Sequence, residues 1–526
     1  MSDFRARLPC QLYRAEQLRR LDEIAIGQLD IPGFSLMQNA AAAALEVALE
    51  CWPNTRSIIV FAGAGNNGGD GYVLAAMARD RGLDVNIVQL AATGKLQGDA
   101  ARAAEFAAQC QVPMLALADS PSILEAARGQ CLLVDALFGT GLSRAPEGDY
   151  AEAIALINAA AGLPVLAMDI PSGLAADTGM PLGTAVRADL TVSFIAMKKG
   201  MLTAEAGDYC GEIVFSDLDV PAHLYSHPDA PVSDCERIDI HSASAVLKPR
   251  RAASHKGSNG HVLVLGGELG FGGAVIMAAE AAARSGAGLV SIASRAAHRQ
   301  AALSRCPVLM FHGLDDDQTD LGGLVDRASV IVIGPGLGRS DWSRHLFQQA
   351  LAAQRQGTPL VVDADALHLL AERKDQDSSL RRQNWVLTPH PGEAAALLDS
   401  TVAQVQSDRF AALAQLSRLY GGVCLLKGSG SLIMDSAAPE KSYLCSEGNA
   451  GMGSGGMGDI LSGLIAGLIA QGLSLSDALR TAVCIHGEAA DMLAAEKGQR
   501  GLLATDLLEP VQQLVNPGHR DLSFHD

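Results

Sequence analysis

Aromatic side chains make up only 4% of this 526-residue chain, although 48% of it is hydrophobic. Small and aliphatic residues therefore carry the apolar content. Abundant Ala and Gly let helices sit close on a sheet, which is the composition of α/β layers. Basic residues are also short: 40 Lys and Arg against 58 Asp and Glu leave a formal net charge of −18. That balance argues against nucleic acid or an anionic membrane as partner, and leaves phosphate binding to local N–H groups and a few lysines. The ten cysteines include no C-x-x-C and no His/Cys cluster at ligand spacing. A disulfide framework or zinc site is not expected, and reduced thiols are. The longest apolar stretches, such as Ala40–Leu49 and Ile460–Ala470, are short or Gly-interrupted, so no membrane span is expected. The opening MSDFRARLPCQLYRAEQLRRLD lacks the apolar core of a signal peptide. The expectation is a cytoplasmic protein.

A chain of this length should hold about two to four domains. Helical spacing of Glu16, Leu18, Leu21, Ile24 and Ala25, then an Ala-rich run over Asn39–Cys51, opens the first half. Strand candidates follow at Ser57–Ala62, Val85–Ala91, Cys131–Ala136, Val165–Met168, Leu190–Ile195 and Ile213–Phe215, with a helix over Tyr72–Arg81. Continuous apolar strands alternating with helices imply a parallel sheet covered on both faces. Pro221, His223, His227, Pro228, Asp229, Pro231, Ser233 and Asp234 give residues 220–240 a linker composition. A second series runs from His261–Leu265 through Leu289–Ala293, Val330–Ile333, Leu360–Val362, Trp385–Leu387, Val423–Leu426 and Leu432–Met434. The glycine motifs of the halves differ, so the fold expected is α/β with two unlike doubly wound domains, residues 1–225 and 241–526, joined by a linker over 226–240.

Between Asn449 and Asp459, NAGMGSGGMGD contains five glycines and precedes a helical stretch. Such a backbone approaches a ligand closely and points helix N–H groups at it. A carboxylate there would repel phosphate but could take a proton from a hydroxyl meeting a phosphoryl group. The plainer reading is a flexible loop ending in an N-capping Asp. In the first half, Gly63-Ala-Gly-Asn-Asn-Gly-Gly-Asp70-Gly71 follows a strand and opens a helix. Asp70 would repel a diphosphate, so two amides and a carboxylate suit a cation and a polar ligand instead. Asp135 and Asp169 end further strands, where open α/β sheets bind ligands; one alone would more simply cap a helix or turn, but three strand ends with oxygen donors at one sheet edge point to a ligand site.

GAGNNGGDGYVLA, VDALFGTGLSRAPEG and DIPSGL together resemble the NAD(P)H-hydrate epimerase domain over about residues 10–220. The resemblance implies a Rossmann-like fold with potassium (K+) on Asn67, Asp135 and Ser172. It places the hydrate against Asn66, Asn67, Gly68, Gly69 and Asp70 and against the loop of Gly139, Thr140, Gly141, Leu142, Ser143, Arg144 and Ala145, with Asp169 as acid/base group. In the second half, Lys427-Gly-Ser-Gly-Ser431 offers N–H groups, hydroxyls and one lysine to a phosphate, and His390 is restrained between two prolines. HKG, GPGLG, DADAL, TPHPGE, LKGSGS and NAGMGSGGMGD, in that order, resemble the ADP-dependent NAD(P)H-hydrate dehydratase of the ribokinase-like superfamily over about residues 240–515. This implies hydrate contacts at Ala274, Gly336, His390 and Asp459. ADP, with Mg2+, would lie on Lys427, Gly428, Ser429, Gly430, Ser431 and Gly458.

The two domains in this order resemble bacterial bifunctional NAD(P)H-hydrate repair enzymes. The implied partners are hydrated NADH and NADPH and ADP, in a homo-oligomer. Two rivals stand beside this reading: a small-alcohol kinase in the second half, and a non-catalytic protein-binding first half. A kinase would release a stable phosphorylated product, and a scaffold would have no use for a cation cage.

Overall fold

The computed structural model describes residues 8–127, 129–315, 320–355, 357–373 and 380–516. It divides into two compact units, Met1–Glu236 and Arg237–Asp526. The stretch with linker composition is not a plain tether. Leu224 is fully buried, the Tyr225 hydroxyl donates to the Ile195 carbonyl at 2.6 Å, and Cys235 and Glu236 pair antiparallel with Leu12 and Gln11. A few buried apolar residues anchor the segment although turn-forming residues dominate its composition.

The first unit is built on a 7-stranded sheet in the spatial order Met114–Ala116, Asp84–Gln89, Ser57–Ala62, Cys131–Ala136, Val165–Met168, Leu190–Phe194, Glu212–Ser216. Every neighbouring pair is parallel. Alternation along the strands feeds two cores: Ile58, Val60 and Ala62 face one, Ile59 and Phe61 the other. Both faces are thus covered, as the unbroken apolar runs require.

One helix begins earlier than its apolar pattern suggests. Asn66–Asp80 is continuous, so Asn66 to Asp70 form its first turn rather than a loop. Glycine is a poor helix former, but packing decides here. A Cβ on Gly68 would stand 2.1 Å from the Gly63 carbonyl oxygen, and one on Gly71 would stand 2.5 Å from Ala136 Cβ. The glycines let the helix start sit directly on the sheet's carboxyl edge.

The second unit has the order Met310–Gly313, Leu289–Ser294, His261–Leu265, Val330–Ile333, Leu360–Val362, Trp385–Leu387, Val423–Leu426, Ser431–Asp435, Ser442–Cys445. Pairing is parallel up to Val423–Leu426, and the last two strands are antiparallel. The helix Met457–Ala470 is buried almost throughout, as a helix apolar on all sides must be. It lies against Gly272–Arg284 along a seam of missing side chains. A Cβ at Gly463 would be 2.0 Å from the Ala278 carbonyl oxygen, and one at Gly467 would be 1.9 Å from Ser285 Oγ. That close approach fixes the helix start carrying Asp459.

All ten cysteines are free. Cys445, Glu447 and Cys484 do come together, with the Cys445 thiol donating to Glu447 Oε2 at 3.7 Å. Among the described residues, no helix is long and apolar enough to cross a membrane.

Candidate active sites

In the first unit a cavity of about 530 Å³ opens where the strands Ser57–Ala62, Cys131–Ala136, Val165–Met168 and Leu190–Phe194 end. Asn66, Asn67, Asp70, Asp169 and the loop Gly139 to Arg144 line it. Gly68 and Gly69 lie off its wall, packed against Gly63 and Met37, and Ala145 is not on the wall either.

Asp169 follows its strand with φ 69°, a left-handed conformation that Asp tolerates better than most residues. This turn aims the carboxylate at two donors. Thr140 N–H reaches Oδ2 at 3.2 Å, and the Lys198 ammonium donates to Oδ1. Lys198 is wholly buried and also donates to Ser193 Oγ at 2.9 Å. A buried lysine is sustained here by a carboxylate and a hydroxyl. Asp22 and Asp70 share the cavity. Burial pushes Asp70 well up, with Asp169 adding to the shift.

Beside them sits a second oxygen cluster. Asp135 is completely buried. Its carboxyl accepts Ser172 N–H at 2.7 Å, Ser172 Oγ–H at 2.6 Å and Leu137 N–H at 3.2 Å. Burial pushes Asp135 up to about 6, while the Ser172 and Leu137 bonds work against the shift. The Asn67 side-chain amide is buried with neither its oxygen nor its nitrogen hydrogen-bonded among the described residues. An orphaned amide oxygen near a buried carboxyl is a polar environment one cation would complete.

The second unit gathers its groups at the start of Met457–Ala470. Gly456, at φ 94°, turns the chain into the helix, and Asp459 lies in the first turn. Gly458 faces the Lys427 ammonium and Asp363: a Cβ there would be 3.3 Å from Lys427 Nζ and 3.5 Å from Asp363 Oδ2. Lys427 donates to Asp363 Oδ1 at 2.8 Å and stands 3.8 Å from Glu393. Ser462 Oγ–H donates to the other Asp363 oxygen at 2.7 Å. Burial alone would raise Asp363, but Lys427 and these hydrogen bonds hold it below the usual carboxylate range. Among the described residues, Asp459 has no such bonds. Burial, then the Asp363 charge, push it up to about 7 against the pull of Lys427. Lys427, expected beside a phosphate, is thus held within a carboxylate cluster.

His390 caps the helix Pro391–Leu398. Its Nδ1 accepts Gly392 N–H at 2.9 Å and Glu393 N–H at 3.3 Å, which assigns the ring proton to Nε2. Burial and then Lys427 lower its basicity, so the ring is a neutral donor. Gly336, at φ 55°, lies beside Ala274: a Cβ there would meet Ala274 Cβ at 3.1 Å. The two are neighbours in the fold.

The turn after Val423–Leu426 has an internal support. Arg409 is fully buried, and its guanidinium donates to the carbonyls of Leu426, Lys427 and Gly430 at 3.2, 3.3 and 3.3 Å. Tying down these oxygens shapes the Gly428–Ser431 turn, where Gly428 and Gly430 have φ 137° and 62°. The Ser431 hydroxyl donates back to the Gly428 carbonyl at 3.3 Å. Arg409→Met would strand three carbonyls, a loss of about 1–3 kcal/mol. We expect the second unit to unfold at correspondingly lower denaturant, read by chemical denaturation of the variant against the parent.

Asp22, Lys198, Ser193, Asp363, Glu393, Ser462 and Arg409 escaped the reading of the sequence as site residues. Asp363 and Glu393 did carry a signal, since they lie at strand ends in the runs Val362-Asp363-Ala-Asp365 and Thr388-Pro-His-Pro-Gly-Glu393. The others sit inside helices or strands, where nothing local distinguishes them.

The sequence matches two family models. NAD(P)H-hydrate dehydratase covers residues 262–513, and YjeF-related protein N-terminus covers residues 33–200. Among curated proteins, the bifunctional NAD(P)H-hydrate repair enzyme of Coxiella burnetii is 45% identical over 506 residues, 96% of this chain and 99% of that protein. The enzyme of the same name from Escherichia coli is 40% identical over 519 residues, 99% of this chain and 96% of its own. Among solved structures, a ribokinase-like superfamily protein from Enterococcus faecalis is 28% identical with TM-score 0.50, covering 55% of this chain and 98% of its own. The ADP/ATP-dependent NAD(P)H-hydrate dehydratase of Bacillus subtilis, co-crystallised with ATP and Mg2+, is 26% identical with TM-score 0.46, covering 52% of this chain and 95% of its own.

Proposed function

The chain belongs to the bifunctional NAD(P)H-hydrate repair enzymes, an epimerase joined to a dehydratase, and on that premise we propose how its residues divide the work. Hydrated NADH or NADPH carries a hydroxyl at C6 of the reduced nicotinamide ring. Hydroxide leaves poorly, so the second unit phosphorylates it before expelling it. Asp459 accepts the hydroxyl proton while the β-phosphoryl group of ADP transfers. The N–H groups of the Gly451 to Gly458 segment meet the charge that develops. Phosphate then leaves, pushed by the ring nitrogen, the iminium so formed gives up a proton from C5 to the released phosphate, and the new C5=C6 bond restores NAD(P)H with AMP and phosphate as co-products. Neutral His390 donates through Nε2 to the hydrate, and the Gly428–Ser431 turn receives the nucleotide.

The observation that carries this reading is Asp459 in the first turn of a Gly-led helix, beside Asp363, whose charge Lys427 already neutralises. A base needs an affinity near that of its working pH, and Asp363 with Lys427 gives Asp459 that environment. Incubating mixed hydrates with ADP or ATP, following both epimers by chromatography, tests the function. Free phosphate and NAD(P)H are expected. A stable phosphorylated nucleotide with no phosphate release would instead mark a small-alcohol kinase.

In the first unit Asp169, with Lys198, exchanges the proton that lets C6 invert. Asn67, Asp135 and Ser172 would hold potassium, which would supply positive charge beside the hydrate. Replacing potassium by a bulky organic cation should slow epimerisation about tenfold or more, the loss of one charged contact of about 1.5 kcal/mol. Dehydration of pure S hydrate should not respond. Equal epimerisation in both salts would remove the cation from this site.

A further inference from the structure

One acidic side chain of the first unit has no part in the chemistry so far. Asp22 lies on the helix Ala15–Gly27, which is anchored by buried Leu18, Leu21, Ile24 and Ala25. It lines the same cavity of about 530 Å³ as Asn66, Asp70 and Asp169, reaching it from a different element. Among the described residues nothing hydrogen-bonds its carboxyl. The charged groups whose fields act on it are Asp169, Lys198, Asp70 and its helix neighbour Glu23. Arg19, Asp99 and Arg144 lie on the same wall.

Inverting C6 places a demand on these groups. The lone pair of N1 expels the hydroxyl, the C6–O bond breaks, and the oxygen takes a proton from an acid to leave as water. Water then adds to the opposite face of the C6=N1 iminium and gives a proton to a base. One proton is spent and one recovered, so no oxidant or other reactant is required. In the reverse direction acid and base exchange roles, so each must be competent in both forms. One carboxyl on one side of a ring does not reach both faces.

We propose that Asp22 is the second acid–base residue of the epimerase, exchanging a proton with hydroxyl or water at C6 on the face Asp169 does not serve. The proposal rests on the epimerase reading of this unit. Burial, then the Asp169 charge, push the Asp22 carboxyl up to about 7, with Lys198 opposing. Both of its forms are therefore populated near neutrality. Asp70, further along the same wall, is pushed well above the usual carboxylate range by burial and then by the charges of Asp169 and Asp22.

The test uses the full-length protein, pure R hydrate of NADH and no nucleotide, with chromatography of both epimers at pH values on either side of 7. Asp22→Asn should slow interconversion about 10²–10⁴-fold, leave KM for the hydrate nearly unchanged and flatten the neutral limb of the pH profile. Asp22→Glu should restore much of the rate and keep that limb. If Asp22→Asn keeps the parent rate and profile while Asp169→Asn is inactive, the role of Asp22 is wrong and the site stands. If both variants keep the parent rate, the placement of the epimerase chemistry itself fails. If Asp22→Asn and Asp22→Glu are equally slow with a lowered Tm of the first unit and an unchanged pH profile, Asp22 only supports the fold and the proposal falls.

Discussion

Asp459→Asn removes dehydration, by about 10²–10⁴-fold, while R and S hydrates continue to interconvert at the parent rate. The amide has the carboxyl's shape, so the first turn of Met457–Ala470 and the Asp363–Lys427–Ser462 cluster have no reason to move. Only the capacity to accept the hydroxyl proton is lost. The base works ionised, and Asp459 is pushed up to about 7 by burial and then by Asp363. Below that value it is protonated and idle; as pH rises through it the parent rate should climb and then level. Glu393, also pushed to about 7 by burial, titrates in the same window. The variant is therefore what assigns the limb, because its residual rate should be flat there if Asp459 is responsible. Return of NADH absorbance from S hydrate and ADP at the parent rate would remove Asp459 from the chemistry.

Asp169→Asn should do the converse: S hydrate is repaired normally and R hydrate accumulates, with interconversion down about 10²–10⁴-fold. Asn tolerates the left-handed backbone at this position about as well as Asp, so φ 69° need not change. The larger disturbance is electrostatic. Lys198 is fully buried and, among the described residues, is left with Ser193 Oγ, the Phe194 carbonyl and a neutral amide oxygen once its carboxylate is gone. Breaking a buried pair on one side costs roughly 3–5 kcal/mol, so the first unit should also lose stability to denaturant. Lys198→Met made with Asp169→Asn should recover part of that stability without recovering epimerisation. Equal consumption of both epimers by the single variant would show that Asp169 does not carry the reaction.

The parts of these sites legible in the sequence are those where glycine, proline or a strand end marks the chain. Gly63 to Asp70, Asp135, Asp169, His390 and Asp459 all stand at such places, because ligands of α/β sheets bind where strands give way to helices. The strands were legible for a similar reason: residues such as Ile58 to Ala62 are buried on both faces and read as unbroken apolar runs. Of the edge strands, Glu212–Ser216 was legible as Ile213–Phe215, whereas Met310–Gly313 and Met114–Ala116, only partly buried and each following a proline closely, were not. Lys198 and Asp22 were invisible for a different reason. Each is an ordinary charge within a regular element, and its meaning comes from Asp169, far away along the chain. Arg409 looks like any helix-surface arginine until the fold turns it inward beneath the Gly428–Ser431 turn.

The seam between Met457–Ala470 and Gly272–Arg284 bears on how the enzyme would look to random mutagenesis. At Gly463 and Gly467 not even a methyl group fits, since the atoms in the way are a backbone carbonyl and a packed serine. Any replacement must push the two helices apart, and the displaced one carries Asp459 in its first turn. A screen for lost repair would therefore flag two glycines that touch no substrate and take part in no proton transfer, and rank them beside the base itself. Positions that hold a reactive group still can be as intolerant as the group they hold.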